Sequence, residues 1–234
     1  DTPVGMGTDF YFPFEGSKEE AATFDGEGYE STASVRVDVP NPNDPAGNYA
    51  GAIFRVDGVG RDLSSFDALT FWAKASRGVN LDQVGFGLDF VEDKYRVTKE
   101  NLTVGTNWAK YIIPIPDASR LIEERGMFWY SSGTDLNSDN AYVIWFDDIK
   151  FEKLGNIAQP RPLISDGFDL SVDTFIGASA TVTGTEEIFN LGSGLEFTIQ
   201  VAPSFYEFTS SNPEVATVNE NGSINVLVSG TSVI

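Results

Sequence analysis

The sequence predicts an all-β protein, in which an antiparallel β-sandwich of the jelly-roll type is followed by a smaller Ig-like β-sandwich. Short apolar segments of strand-like composition recur along the 234 residues, and clusters of Pro, Asn, Gly and Ser separate them. No long stretch repeats its apolar residues at helical period. Regularly spaced strands without intervening helices are typical of antiparallel sandwiches. A first module of about 150 residues with long loops suits a jelly roll better than an Ig domain.

The first module is predicted to contain seven strands, at residues 34–39, 52–56, 68–75, 83–91, 108–115, 126–130 and 142–151. Between them, the Pro-rich segment 40–45 and the Ser-Ser-Gly cluster at 131–133 favour turns, because such residues fix φ or bond their own backbone. Only residues 117–125 have the character of a helix, of one or two turns. The expected architecture is therefore strands joined by loops.

A domain boundary is predicted at residues 154–163, where Pro160 and Pro162 cannot donate to a strand ladder and stiffen the chain. We expect a jelly-roll domain over residues 1–153, a linker over 154–163 and an Ig-like domain over 164–234. Strands of the second domain are predicted at 179–183, 195–201, 206–209, 216–218 and 223–228. Five short strands in roughly 70 residues fit a small sandwich.

Charge separates the same two parts of the chain. Residues 1–161 carry 26 acidic and 15 basic side chains, whereas residues 162–234 carry nine acidic and no basic ones. A net charge of −20 repels phosphate backbones and anionic lipid headgroups, which argues against nucleic-acid and membrane-surface partners. No apolar run approaches the roughly 18 residues of a membrane span. The absence of Cys and His excludes disulfides, thiolate chemistry and Ser-His or Cys-His nucleophiles.

The four tryptophans all lie in the first module and are candidates for a ligand-binding face, with packing beneath a loop as the alternative for each. Sugar rings present flat C–H patches with hydroxyls at the rim, so a binding face needs an exposed aromatic ring flanked by polar groups. In the strand at 68–75, Phe71 and Trp72 point to opposite faces, and we predict that Trp72 points outward. Trp129 or Tyr130, beside the turn at 131–133, is the best candidate for a stacking platform.

Residues 89–96 are predicted to form a hairpin whose side chains could also meet a ligand. Asp89, Tyr95 and Arg96 are the candidates, and a solvated hairpin tip is the alternative. Trp108 and Trp145 are expected to belong to the core, because each lies within a predicted strand. The predicted ligand-binding set is Trp72, Asp89, Tyr95, Arg96, Trp129 and Tyr130.

A motif near the end of the chain resembles bacterial Ig-like group 2 domains. It reads Ser-Ser-Asn-Pro-Glu-Val-Ala-Thr-Val over residues 210–218, followed by Asn221-Gly222 and Gly230-Thr231. Asn221-Gly222 should close a hairpin through positive φ. The resemblance covers roughly residues 164–234. In that family one more strand follows the Gly-Thr pair, so we expect this domain to lack its last strand.

Three segments of the first module together resemble galactose-binding-like jelly rolls of the carbohydrate-binding-module kind. They are Asp-Leu-Ser-Ser-Phe-Asp-Ala-Leu-Thr-Phe-Trp-Ala-Lys at 62–74, Trp-Ala-Lys-Tyr-Ile-Ile-Pro-Ile at 108–115 and Ile-Trp-Phe-Asp-Asp-Ile-Lys-Phe at 144–151. Such a module beside an Ig-like domain is similar to surface glycan-binding proteins of Bacteroidetes. The resemblance implies an extracellular, cell-surface protein of a polysaccharide-utilization system, lipid-anchored through a segment outside this sequence, with outer-membrane glycan-uptake partners and the Ig-like domain as spacer.

The same resemblance implies a structural calcium ion between the first and last strands of the jelly roll. Glu15 and Asp147 match the expected ligands, and backbone carbonyls would complete the site. The alternative is that Asp147 and Asp148 close a strand at the surface.

We therefore expect non-catalytic binding of a polysaccharide, with a neutral β-glucan such as laminarin as the first choice of ligand. One alternative is a structural or adhesive stalk without a ligand, and another is an accessory region of a glycoside hydrolase. Hydrolysis requires two carboxyl groups that share one face. The pairs Glu123-Glu124 and Asp147-Asp148 are adjacent in sequence, and neighbours in a strand point to opposite faces.

Overall fold

The structure, a computed structural model, describes residues 2–4, 9–24, 26–134, 140–192 and 194–234. Its strands are β1 (Thr2–Pro3), β2 (Asp9–Pro13), β3 (Ala22–Thr23), β4 (Val35–Val39), β5 (Ala50–Val56), β6 (Ala68–Ala75), β7 (Val79–Phe86), β8 (Val97–Val104), β9 (Ala109–Pro114), β10 (Gly126–Ser132), β11 (Tyr142–Glu152), β12 (Ala158–Ile164), β13 (Ser179–Thr181), β14 (Thr185–Asn190), β15 (Glu196–Val201), β16 (Ala216–Val218) and β17 (Ser223–Val226). The helical elements of the described residues are three short 3₁₀ turns, Ala118–Arg120, Ser165–Gly167 and Pro203–Phe205. None of these is a helix with the length and apolar character to span a membrane.

The strands form three antiparallel sheets. The first sheet has the order β3-β4-β11-β6-β9, with β1 added to β11. The second has eight strands in the order β12-β14-β15-β8-β7-β10-β5-β2, and the third has the order β13-β17-β16. The first sheet faces the β8-β7-β10-β5-β2 part of the second, which confirms the predicted all-β sandwich.

The core of the sandwich is built from the inward residues of both sheets. Phe71 and Phe146 of the first sheet and Phe128 of the second are fully buried. Phe71 meets the other two at ring-centroid distances of 5.6 to 5.8 Å in edge-to-face geometry, which aromatic rings prefer. Alternate residues of the central strands therefore point into the core, and the residues between them point outward.

The C-terminal part continues the second sheet. Strand β15 pairs with β8 through Gln200 with Thr98 and Val201 with Val97. The buried side chains of Phe189 and Ile199 belong to the same apolar cluster as the sandwich core. Strand β12 occupies residues 158–164, so most of the predicted linker lies in a strand. The division into two domains stays a prediction, and the β8–β15 pair marks where the two parts meet.

The strands agree with the prediction in some places and differ in others. The segment 68–75 is a strand with those bounds, whereas β1, β2, β3, β8, β12 and β14 lie outside the predicted set. The strand predicted at 83–91 is instead β7 at Val79–Phe86, and residues 87–91 belong to the loop that follows it. Residues 206–209 are not a strand, and the helix expected over 117–125 is a single 3₁₀ turn. Asn221-Gly222 closes the β16–β17 hairpin as predicted, with Gly222 at φ +71°.

Gly85, in the middle of β7, is expected to tolerate no side chain. A Cβ at this position would lie 1.8 Å from the carbonyl oxygen of Val97 on the neighbouring strand. Because both strands are held in ladders, Gly85→Ala should lower the free energy of unfolding by about 3 kcal/mol. Urea denaturation measures this, with Gly78→Ala as control because nothing lies within 4 Å of a Cβ there. Equal stability of the two variants would contradict the packing described.

Candidate functional site

The outer face of the first sheet carries aromatic side chains on adjacent strands. On β6, Phe71 is buried in the core and Trp72 is half-buried on the opposite face. The prediction that Trp72 points outward is confirmed. On β11, Ile144 and Phe146 are buried and Trp145 between them is half-buried on the same outer face. Strand alternation therefore brings two indoles to one surface.

A third indole extends this surface. Ala73 pairs with Ala109, which places Trp108, just before β9, beside Lys74. Trp145 pairs directly with Lys74 on the other side. The Lys74 Nζ lies 5.2 Å from the ring centroid of Trp108 and 4.9 Å from that of Trp145. The two indoles thus lie on either side of one ammonium group. The strands that carry them are two strand spacings apart, which together are roughly 10 Å.

Tyr29 completes the group, which we call the aromatic platform (Tyr29, Trp72, Trp108 and Trp145). Its ring stacks on Trp72 with a centroid distance of 3.6 Å and an interplanar angle of 11°. It meets Trp108 edge-on at 6.3 Å. Tyr29 covers one face of Trp72, and the Lys74 ammonium lies over part of Trp108 and Trp145. Tyr29, Trp108 and Trp145 are each half-buried, so part of each remains exposed to a ligand.

The segment that carries Tyr29 is fixed to the sheet by acidic side chains. The Tyr29 amide donates to Asp147 Oδ2 at 2.7 Å, and the Ser31 hydroxyl donates to the same oxygen at 2.9 Å. Lys74 Nζ donates to Glu27 Oε1 at 2.5 Å. The two hydrogen bonds to Asp147 hold the Tyr29 segment against the sheet, and the third pairs the Lys74 ammonium group with a carboxylate.

The other cations of this face are also paired. Arg36 bonds Asp38 at 2.6 Å, and Lys110 bonds Glu152 at 2.5 Å. Partial burial acts to raise the pKa of Glu152, but hydrogen bonds from Lys110 and Thr70 and the charges of Lys110 and Lys150 outweigh it and hold that pKa below its ordinary value. The platform therefore offers apolar rings and hydrogen-bonding groups rather than a free positive charge.

The expectation that Trp108 and Trp145 belong to the core is wrong, since both are half-buried on the outer face. The alternation that placed Trp72 outward applies equally to Trp145, because Ile144 and Phe146 are its apolar neighbours. No comparable signal marks Tyr29, which lies outside every strand and reaches the site through its segment's contacts with Asp147.

Trp129 and Tyr130 do not offer a face to a ligand in this structure. Tyr130 is fully buried, and its hydroxyl bonds that of Tyr11 at 3.1 Å. Trp129 points to the outer face of the second sheet, as alternation requires, but is only 3% exposed. It packs in a small cluster with Ile53 and Leu88, covered in part by Phe14.

The hairpin candidates lie apart from the platform. The predicted hairpin exists, with residues 87–96 joining β7 to β8. Asp89 is buried and Tyr95 packs on Phe205 at 5.3 Å, so these two hold the loop and the C-terminal part. Arg96 is exposed and lines a cleft beside β15. The structure therefore does not bring the six predicted residues into one site.

The two predicted calcium ligands lie in different parts of the sandwich. Glu15 is exposed two residues beyond β2, the edge strand of the second sheet, whereas Asp147 lies in β11 of the first sheet. Asp147 accepts hydrogen bonds from the Tyr29 segment. Among the described residues, no group of three or more acidic side chains is arranged to hold a metal ion. Calcium binding stays a prediction, without support from this geometry.

Two buried carboxyl groups lie near Arg125, away from the platform. Burial acts to raise the pKa of Asp89, but three backbone amides and the Arg125 guanidinium outweigh it and bring that pKa down to about 2. Burial, with a contribution from the charge of Asp89, raises the pKa of Glu124 to about 7 despite two backbone hydrogen bonds. One carboxyl group therefore stays ionised while its neighbour carries a proton up to neutral pH.

Comparison with known proteins finds similar folds only. No family model matches the chain, and no curated protein matches it. A family 30 carbohydrate-binding module of a cellulosomal cellulase from Clostridium thermocellum is 20% identical over 67% of this chain and 95% of that one, with a TM-score of 0.45. A family 11 module from the same organism, solved with a β-1,3-1,4-mixed-linked tetrasaccharide, is 12% identical over 65% and 93%, with a TM-score of 0.42.

A third neighbour is a family 28 carbohydrate-binding module specific for non-crystalline cellulose. It is 15% identical over 61% of this chain and 88% of that one, with a TM-score of 0.40. At these identities and TM-scores the likeness assigns no ligand to this chain. The resemblance of residues 164–234 to bacterial Ig-like group 2 domains also stays a prediction.

Proposed function

We propose that this protein binds a neutral polysaccharide at the aromatic platform, without cleaving it. The observation that carries the proposal is that Tyr29, Trp108 and Trp145 converge on one outer face with part of each ring uncovered. Stacking of sugar C–H faces on such rings is the general mode of carbohydrate recognition by aromatic side chains. The spacing of roughly 10 Å between the two indoles fits contact with more than one sugar unit of an extended chain.

The charge distribution of the platform favours a neutral ligand. Lys74 is paired with Glu27, and Lys110 with Glu152, so neither ammonium group is free for a carboxylate or sulfate. The net charge of −20 adds repulsion of polyanions at long range. A neutral β-glucan such as laminarin is the ligand class we propose. Affinity on the order of micromolar to millimolar is expected, because a wet, shallow surface supplies only about −4 to −8 kcal/mol.

Binding without hydrolysis agrees with how the carboxylates of this face are used. Asp147 accepts two hydrogen bonds from the Tyr29 segment, and Glu152 is shared by Lys110 and Thr70. A glycosidase needs a pair of carboxyl groups whose pKa values suit an acid and a base. The strongly shifted pair, Asp89 and Glu124, is buried and does not lie on the platform face.

Replacing either indole tests the proposal. Trp145→Ala and Trp108→Ala should each weaken binding to laminarin at least about tenfold, which corresponds to about 1.4 kcal/mol. Affinity electrophoresis and calorimetry on the whole chain measure this, with thermal melting as the folding check. Phe175→Ala is the matched control, because Phe175 is an aromatic residue 74% exposed in the C-terminal part.

Three outcomes would contradict the proposal. Unchanged binding in both tryptophan variants would move the site elsewhere. Failure of the wild-type chain to bind laminarin, mixed-linkage β-glucan and cellulose derivatives would favour the structural or adhesive stalk. Release of reducing sugar on long incubation would show that the chain itself cleaves the glycan, as a glycoside hydrolase does.

We place this binding in a bacterial surface glycan-capture system, with the C-terminal Ig-like part as a spacer that holds the platform away from the cell. The proposal rests on the resemblances stated for residues 62–74, 108–115, 144–151 and 210–218. Outer-membrane glycan-uptake proteins are the partners we propose. Because each contact is weak, several such modules or a multivalent chain would raise the apparent affinity.

A further inference from the structure

A cleft of about 390 Å³ lies where β8 pairs with β15. Its lining comes from both parts of the chain, with Arg96 and Thr98 on one side and Thr183, Thr185 and Gln200 on the other. Its volume is in the range of natural ligand clefts, which occur preferentially where two structural units meet. The lining contains no aromatic ring, so recognition here would depend on hydrogen bonds and charge.

Arg96 distinguishes this cleft from the platform. Its carbonyl oxygen accepts from the Ala202 amide at 2.8 Å, which fixes its backbone against the C-terminal part. Its side chain is exposed, and its guanidinium makes no hydrogen bond or ion pair with any residue that the structure describes. Arg125, by contrast, bonds Asp89 at 2.8 Å. The Arg96 guanidinium is therefore available to a ligand.

The neighbouring groups can serve a hydroxylated ligand. Gln200 donates through Nε2 to Glu186, which leaves its oxygen to accept. The Thr185 hydroxyl donates to the Val201 carbonyl at 2.6 Å, whereas the exposed Thr183 adds a further hydroxyl-bearing side chain to the lining. Asp93 also lines the cleft, and its Oδ1 accepts from the Asp89 and Phe90 amides. One unpaired guanidinium, one carboxylate bonded to backbone amides, and several hydroxyl and amide groups therefore line the space.

We propose that this cleft is a second glycan site, which binds a sugar unit bearing an oxyanion, either the carboxylate of a uronic acid or a sulfate ester. Arg96 meets the oxyanion in bidentate geometry, which the planar guanidinium favours. Thr183 and Gln200 meet the ring hydroxyls. The inference rests on the proposed function in taking glycans as the ligand class. Its site lies at the outer side of the second sheet, away from the platform on the first.

Amide chemical shifts of the isotope-labelled chain test this inference. D-glucuronate or D-glucose 6-sulfate should shift the amides of Thr98, Thr183, Gln200 and Ala202, and D-glucose should not. A response to glucuronate alone identifies the carboxylate, and a response to the sulfate ester alone identifies the sulfate. Arg96→Gln should weaken the response at least tenfold, whereas Lys153→Gln, an equal charge change at an exposed lysine, should not.

Several results would overturn the inference. No shift with either charged sugar, an equal shift with glucose, or an unchanged response in Arg96→Gln would each do so. Equal shifts with sodium sulfate or acetate at the same concentration would reduce the cleft to a general anion contact.

The proposals for the platform and for the cleft can be contradicted independently of each other. Trp145→Ala should weaken binding to laminarin at least about tenfold and leave the cleft response intact. If laminarin does not bind but the charged sugars shift the cleft amides through Arg96, the platform proposal fails and the cleft remains. If laminarin binds through the tryptophans and the cleft amides do not respond, only the cleft inference fails.

Discussion

Asp89→Ala is expected to lower the free energy of unfolding by about 3 kcal/mol, because Asp89 is the buried anchor of the loop between β7 and β8. Its Oδ1 accepts from the amides of Val91, Glu92 and Asp93 at 2.9 to 3.1 Å. Its Oδ2 accepts from Arg125 Nε at 2.8 Å. Removal of the carboxylate leaves three amides and a partly exposed guanidinium without these acceptors.

Urea denaturation at pH 7 measures this loss, and Asp62→Ala is the matched control. Asp62 also accepts from a backbone amide two residues on, that of Ser64 at 2.9 Å, but it lies at the surface. Its replacement should cost well under 1 kcal/mol.

The pH dependence gives a second check on Asp89. Its pKa falls from 3.8 in the unfolded chain to about 2, so its contribution is full above pH 4 and is lost as the pH falls through 2. Wild-type stability at or near that of the Asp89→Ala chain at pH 7 would rule out the anchoring role.

The anchoring role of Asp89 could not be predicted from the sequence. The pattern at 89–96 correctly predicts a hairpin, and a charged hairpin residue is reasonably considered for ligand contact. What decides its role is the left-handed backbone of Phe90 and Asp93, at φ +61° and +52°. That conformation turns the loop amides inward onto Asp89, and sequence spacing does not reveal it.

Alternation along the central strands is the part of the site that the sequence predicts well. It places Trp72 outward and Phe71 inward, and the same rule places Trp145 between two buried residues. Local alternation does not reveal what covers an outward side chain. Trp129 points outward by the same rule, yet the packing of Phe14 and Leu88 buries it.

Long-range pairing accounts for the remaining differences. The β8–β15 pair joins residues about a hundred positions apart, and the cleft beside Arg96 exists only because of it. Likewise, Tyr29 reaches Trp72 through a hydrogen bond to Asp147, which is 118 residues away. Composition and periodicity describe single strands, so contacts of this kind follow only from the assembled sheets.

Glu124→Gln is expected to stabilise the protein at pH 8 and to flatten its loss of stability between pH 5 and pH 8. Glu124 is buried, and its Oε1 accepts from the amides of Arg125 and Gly126 at 2.9 and 2.7 Å. Its pKa is about 7 in the folded protein and 4.5 in the unfolded chain. The folded state therefore binds more protons than the unfolded state between these values, and stability falls as pH rises through them.

A shift of that size corresponds to about 3 kcal/mol between pH 4.5 and pH 7 and above. Glutamine matches the protonated carboxyl group in shape and keeps an oxygen for the two amides, so the variant should equal the wild type near pH 5 and exceed it at pH 8. Denaturation at four pH values measures this, with Glu123→Gln as the control because Glu123 is the exposed neighbour. Parallel stability curves for the wild type and Glu124→Gln would contradict the assignment.

The charge of Asp89 contributes to the raised pKa of Glu124. Asp89→Ala should therefore lower the pH at which the pH-dependent loss of stability ends, which links the two carboxyl groups as one buried pair.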